Sequence, residues 1–333
     1  MHNRSRWLTA TAMTAALVAA TALPALAEPP QRTVSLPLTS YSDIAVDPTL
    51  GHVFVSSRVD HAVAVTDLTG NVVTKLTNLP GAAGLALSPD GGTVFVALSQ
   101  HGAVAALDTL TLTERARYPV GEVCPSDLAI TGATLYFSYG CQDWGGGIGR
   151  VGLTGAEPRT GLAWGHYSPH QLATSPARPG LLLTGQPRLS PASVQVLREE
   201  GDALVVHASA RDAGSNLRDV EFSKDGSLVH VAAGAPYQVQ SFTTDAFAVR
   251  GSYNTGPYPL AVTTSQDSGA LAAGTDSDTS VRVYPAGSLT QSRSYEVKGL
   301  FPAGLAWGPG GQWVYAVGGN FTSQPPALHV LRA

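Results

Sequence analysis

An all-β fold, a seven-bladed β-propeller with four-stranded blades, is what this sequence predicts, and three observations predict it. A short apolar run recurs at steps of 41, 43, 44, 48, 40 and 45 residues, measured between Ile44, Leu85, Leu128, Leu172, Val220, Leu260 and Leu305. A second apolar run follows each at nearly constant offset, across a gap rich in the Gly and Asp of tight turns. No unit carries the 3.6-residue apolar pattern a helical solenoid would need. Composition agrees: 13% charged residues with 36 Gly and 23 Pro suits a turn-rich β protein, and 44% apolar residues supply a core. A two-sheet sandwich has a similar strand count but no reason to repeat one period seven times.

The chain opens with Arg4 and Arg6 ahead of an uncharged Ala/Leu/Val run that ends in Ala25-Leu26-Ala27. That order predicts a secretory signal peptide over residues 1–27, cleaved after Ala27, with the propeller spanning 28–333. A membrane anchor fits less well, because the run is Ala/Thr-rich and Pro24 interrupts it before the small-residue site. Glu28-Pro29-Pro30 stands where a lipoprotein would need Cys, so release without a membrane anchor is expected. Removing two Arg and no acid moves the formal charge from -4 to -6. With lysines only at 75, 224 and 298, no basic cluster exists, and nucleic acid is excluded as a partner.

Residues 31–38 (QRTVSLPL) form a strand that no repeat claims. The first runs of the seven units follow as DIAVDP, GLALSPD, DLAITG, QLATSP, DVEFSKD, PLAVTTSQD and GLAWGPG. The second runs are HVFVSS, TVFVAL, TLYFSY, GLLLTG, LVHVAAG, GALAAGT and WVYAVGG. Third runs such as AVAVTDL and AVAALDT come next, and a more polar fourth run such as NVVTKLTNL completes each unit. Four strands in about 43 residues describe one propeller blade. The seventh unit stops at its third run, ALHVLRA, so the free N-terminal strand is expected to enter the last blade and close the ring.

Cys124 and Cys141 flank the hairpin AITGATLYFSY, whose turn at Gly132-Ala133 lies midway between them. Folding that hairpin brings the sulfurs level, and in an exported chain a disulfide is expected. The spacing does not suit a CxxC redox or metal pair.

The second unit reads Leu85-Ala86-Leu87-Ser88-Pro89-Asp90-Gly91, then Val94-Phe95-Val96, then Leu107-Asp108-Thr109; the first contains Val65-Thr66-Asp67-Leu68-Thr69. These residues resemble the YVTN-type repeats of YncE-like seven-bladed propellers, over the whole mature chain. The resemblance implies that fold and carries little chemistry. None of the second strands holds the Tyr-Val-Thr-Asn tetrapeptide, and units four and six have lost most of the signature. Related propellers include lactonases and streptogramin lyases. The lyase-like pattern sets a Glu two residues before a His, and no Glu here has that neighbour.

In a propeller, the loops entering each first strand and joining second to third strands share one face, where ligands usually bind. The sequence puts there Tyr41, Asp43, Arg58, Asp60, His61, His101, Asp143, Trp144, Tyr167, His170, Arg188, Tyr237, Tyr258, Asp276, Asp278, Phe301 and Asn320. Asp43, Asp127 and Asp219 recur at the start of three first strands, where a carboxylate can accept backbone N–H bonds and lock neighbouring blades. Trp144 can stack on a sugar or peptide, or plug its loop. His52, His230 and His329 fall in strands or turns and read as packing residues. Asn320-Phe321-Thr322 matches a glycosylation acceptor, but the composition and leader look bacterial, which discounts it.

No Gly-x-Ser-x-Gly, phosphate-binding Gly loop or His-Glu-x-x-His occurs. The reading is therefore a secreted, monomeric binding module that presents its top face to an extracellular ligand or protein, with no cofactor and no metal. The alternative is a metal-assisted lactonase or lyase that uses a divalent ion with His61, His101 or His170 and a top-face Asp.

Overall fold

The computed structural model describes residues 32–201, 203–278, 280–319 and 325–333. The leader and its cleavage point, together with Gln31 and Asn320, lie outside the described residues. The rest forms seven antiparallel sheets of four strands each. The first strands are Asp43–Asp47, Ala82–Leu87, Pro125–Thr131, Gln171–Ala173, Ser215–Phe222, Pro259–Thr264 and Leu300–Trp307. Each lies against the first strand of the next blade, and the last lies against the first, so the chain is a closed β-propeller. Helix is limited to one 3-10 turn, Pro309–Gly311, among the described residues.

Closure is made by Arg32–Ser35, which pairs with Ala327–Arg332 in the register Arg32↔Val330 to Ser35↔Ala327. The Leu36 N–H donates to Pro326 at 2.8 Å, and Leu36 and Leu38 are buried in the joint between the last and first blades. Seven apolar clusters fill the seven joints between blades, one in each. Each sheet therefore packs on both faces. This is why the second strands read as continuous apolar runs: all but the first residue of His52–Ser57 and of Thr93–Leu98 is buried, with no alternation. Fourth strands at the rim, such as Val72–Leu76, are largely exposed and accordingly polar.

The repeated Ser-x-Asp-Gly turn has a mechanism. Ser88 Oγ donates to Asp90, Gly92 N–H donates to the same carboxylate at 3.0 Å, and Gly91 takes the left-handed φ of +70°. Ser223, Asp225, Ser227 and Gly226 repeat the arrangement. The hydroxyls of Thr109 and Thr244 then donate to the carbonyls of Gly91 and Gly226, each at 2.7 Å, tying the third strand's end to the turn. The motif is thus a self-contained blade fastener.

Several first strands begin earlier than the apolar runs indicate. Those at Ala82, Pro125, Ser215 and Leu300 each carry a register shift near their upper end, between Ala82/Leu85, Pro125/Leu128, Leu217/Asp219 and Leu300/Leu305. A bulge inserts residues without a pairing partner, which breaks the sequence pattern while the strand continues.

Candidate functional site

Three carboxylates organise the hub. Asp43 accepts the N–H of Ile44 at 2.7 Å on one oxygen and that of Leu85, in the next blade, at 2.7 Å on the other. Asp127 does the same with Leu128 and Leu172, both at 2.8 Å, and Asp219 with Val220 and Val262, both at 2.9 Å. Blades one, three and five are thereby clamped to blades two, four and six. At the equivalent site in blade two, Gly84 lies so close to blade three that a Cβ would stand 2.6 Å from the Asp127 Cα. These aspartates are braces between blades.

Below them runs a central channel of about 810 Å³, lined by all seven first strands and opening among the turns that hold Pro48, Pro89, Pro176 and Pro309. Glu221 joins the three aspartates in its wall. Burial pushes the Glu221 carboxyl up to about 8 and that of Asp127 up to about 6. Burial also raises Asp43 and Asp219 well above the ordinary carboxylate range, and the neighbouring acids add to it.

Above the aspartates lies a second cavity, of about 600 Å³, lined by Thr39, Ser40, Tyr41, Ser42, Arg188, Arg218, Leu260, Asp276, Phe301 and Pro302. The two spaces are separated by single residues along the strands: Ser42 above and Asp43 below, Arg218 above and Asp219 below, Pro302 above and Ala303 below. Tyr41 marks the boundary. Its ring stacks on Phe301 with centroids 5.0 Å apart, and its hydroxyl donates to the Ala303 carbonyl at 2.8 Å. Burial, and then the charges of Asp43, Asp219 and Asp127, hold its phenol well above the usual value, so it stays protonated.

Bulges build this upper cavity. Arg218 sits inside the shift between Leu217 and Asp219, Leu260 inside that between Pro259 and Ala261, and Phe301 and Pro302 inside that between Leu300 and Leu305. Outside the regular ladder, Arg218, Leu260 and Pro302 line this space, and Phe301 lines it while also packing into the joint between the last and first blades. Arg188 arrives from a second-to-third-strand loop with φ +66°, its N–H held by the Leu217 carbonyl at 2.8 Å. Arg218 Nε is buried with no hydrogen-bond partner among the described residues. Burial, and then Arg188, lower the Arg218 guanidinium below its ordinary value, while Asp276 opposes them.

Of the residues singled out from sequence, Tyr41, Arg188, Asp276 and Phe301 meet in this cavity, and Asp43 braces its floor. The other described ones lie outside its lining. Asp60 caps the first blade's loop, accepting the N–H groups of Thr39 at 2.8 Å and Ser40 at 3.3 Å as well as the Ser57 hydroxyl. His61 accepts the Gly81 N–H on Nδ1 at 2.9 Å. Arg58 reaches Ser126 Oγ at 3.2 Å, and His101 is exposed. His170, read as a loop side chain, is instead buried: its Nδ1 meets Thr184 Oγ1 at 2.9 Å, and its ring lies 4.1 Å from that of His166. Two imidazoles sharing a metal at about 2.0–2.1 Å per bond would hold their centroids about 5 Å apart or more. The pair is a tilted ring contact, with the planes 55° apart. Among the described residues no three His, Cys, Asp or Glu side chains are grouped to share an ion, so His61, His101 and His170 do not converge.

Cys124 and Cys141 form the disulfide, with Cα atoms 5.1 Å apart, and such bonds persist in oxidising compartments. Beside it Trp144, 72% exposed, meets Tyr167 edge-on at 5.4 Å, and Tyr167 donates to Asp143 at 3.1 Å. Tyr237 and Tyr258, both exposed and both at positive φ, form a similar pair at 5.3 Å. Asp278 is exposed, and His230 and His329 bond within the blades to Ser241 and Thr33.

Not singled out from the sequence were Arg218, Leu260, Pro302 and the hydroxyls of Thr39, Ser40 and Ser42. Arg218 left one trace, an unpaired cation immediately before a bracing aspartate.

No family model and no curated protein matches the chain. Among solved structures it is similar to a chain of hydrazine synthase from Kuenenia stuttgartiensis, with a TM-score of 0.71 at 19% identity, covering 90% of this chain and 97% of that one. A chain of the mitotic checkpoint complex gives 0.71 at 15% identity, covering 98% and 99%, and U3-55K gives 0.71 at 13%, covering 90% and 98%. At such identities the likeness shows the seven-bladed propeller fold alone. The finer resemblance to YncE-like propellers rests on the repeat motif.

Proposed function

We propose that this protein is an exported binding module that takes its ligand in the upper cavity, at the centre of the top face. One observation carries the reading: bulges in blades five, six and seven and the loop that enters blade one converge on a space of about 600 Å³. That volume suits a small ligand or a peptide end, and the lining mixes apolar walls with a few polar groups. The disulfide and the leader-like N-terminus support export. The exposed pairs Trp144–Tyr167 and Tyr237–Tyr258 supply aromatic surface around the rim for a larger extracellular partner.

The test is a ligand-induced thermal shift on the mature chain. A compound in the cavity raises the melting temperature in proportion to ln(1 + [L]/Kd), and Ser42→Trp, which fills the space, abolishes the rise. A panel of sugars, short peptides, organic acids, nucleosides and divalent metal salts giving no shift that Ser42→Trp blocks would overturn the proposal. Secretion from a bacterial host with Glu28 as the first residue checks the export half.

A further inference from the structure

The upper cavity is stratified in charge. Two guanidiniums, Arg188 and Arg218, stand at its mouth with one acid, Asp276, and the layer beneath holds Asp43, Asp127 and Asp219. No hydrogen bond or ion pair occupies either guanidinium among the described residues, and the Arg218 Nε is buried without a partner. A buried guanidinium donor left unpaired is costly, and a planar carboxylate is the group whose geometry satisfies it. The rest of the lining offers apolar surface from Tyr41, Leu260 and Phe301.

We propose that the cavity binds an amphipathic monocarboxylate, its carboxylate between Arg188 and Arg218 and its aliphatic or aromatic body against Leu260, Phe301 and Tyr41. This rests on the reading of the cavity as a binding site and adds the ligand's class. Two Arg against one Asp leave one positive charge, which matches a single carboxylate. A polyanion is disfavoured by the aspartate layer one residue below. The bare anion alone would leave the apolar wall unfilled. Free acids and peptide C-termini both present this chemistry.

Isothermal titration of the mature chain with 3-phenylpropionate, its neutral amide, inorganic phosphate and the peptide acetyl-Ala-Ala-Phe bearing a free C-terminus tests the proposal. Saturable binding of at least one of the two carboxylates is expected, with the amide and phosphate at least tenfold weaker. Tighter binding of the peptide assigns the source to a chain end, and tighter binding of phenylpropionate assigns it to a free acid. Arg218→Gln should weaken binding at least tenfold. Arg188→Asn, which tolerates the left-handed backbone on an exposed loop, should do the same and decides the matter if Arg218→Gln fails to fold. Equal binding of acid and amide, or both variants binding like the wild type, overturns the assignment. If a neutral compound binds and Ser42→Trp excludes it while neither acid binds, the ligand class falls and the binding module stands. If nothing bound is sensitive to Ser42→Trp, both fall.

Discussion

At the residue scale, the buried acids of the hub divide into two kinds that respond to substitution in opposite directions. Asp127 uses both oxygens as acceptors, for Leu128 and Leu172. Asn in its place offers one oxygen and turns an N–H₂ toward an N–H, so an amide donor loses its partner. Asp127→Asn should destabilise the protein by about 1–3 kcal/mol at pH 7 although it removes a buried charge. Urea denaturation reads this, and an unchanged or higher midpoint would refute the bracing role. Among the described residues Glu221 bonds only the N–H of Phe222, and it mainly bears the cost of burial. Its folded-state pKa, raised to about 8, lies above the unfolded value of about 4.5, so its contribution is fully present below pH 4.5 and is lost as pH rises through 8. Glu221→Gln should therefore match the wild type at pH 4 and exceed it at pH 9, by roughly 2 kcal/mol because channel water relaxes around the charge. Melting curves at the two pH values that run parallel would contradict this. Both kinds of acid stand in the same channel wall, but only the first was legible in the sequence, because Asp43, Asp127 and Asp219 repeat at one register and Glu221 does not.

At the element scale, the sequence announces what repeats and conceals what interrupts. The Ser-x-Asp-Gly turn, the continuous apolar second strand and the hairpin between Cys124 and Cys141 all follow from local chemistry, and the structure places them where their spacing indicates. The bulges leave no such mark: whether Arg218 or Leu260 continues a strand or sits outside its pairing depends on the neighbouring strand's register, which is set by packing. For that reason the cavity's bulge-borne residues, Arg218, Leu260 and Pro302, escaped a reading by loops, whereas Tyr41 and Arg188, on true loops, did not. His170 misled in the other sense, since its loop folds the ring under the face instead of onto it. The disulfide gives this scale its prediction. It spans a separation of 17 residues, so Cys124→Ala with Cys141→Ala should cost about 3 kcal/mol in the chain-entropy account. A thermal midpoint unchanged by the pair of substitutions would remove that contribution.

At the scale of the whole molecule, circular closure and the site are one construction. Arg32–Ser35 completes the last blade, Leu36 and Leu38 fill its joint with the first, and the chain then passes directly into Thr39–Ser42, the cavity wall. Deleting residues 28–38 should expose the edge of Ala327–Arg332, empty an apolar joint and yield soluble aggregates or an unfolded chain, read by size-exclusion chromatography and circular dichroism. A monomer with wild-type melting would show that the ring does not depend on this strand. Two stacked spaces meet at Tyr41, and the proposed ligand site is the upper one alone. A crystal of residues 28–333 soaked with 3-(4-bromophenyl)propionate tests this through the anomalous signal of bromine. The signal is predicted beside Leu260, Phe301 and Tyr41, with the carboxylate between Arg188 and Arg218; bromine in the channel below Asp219, or only on the outer rim, would contradict it.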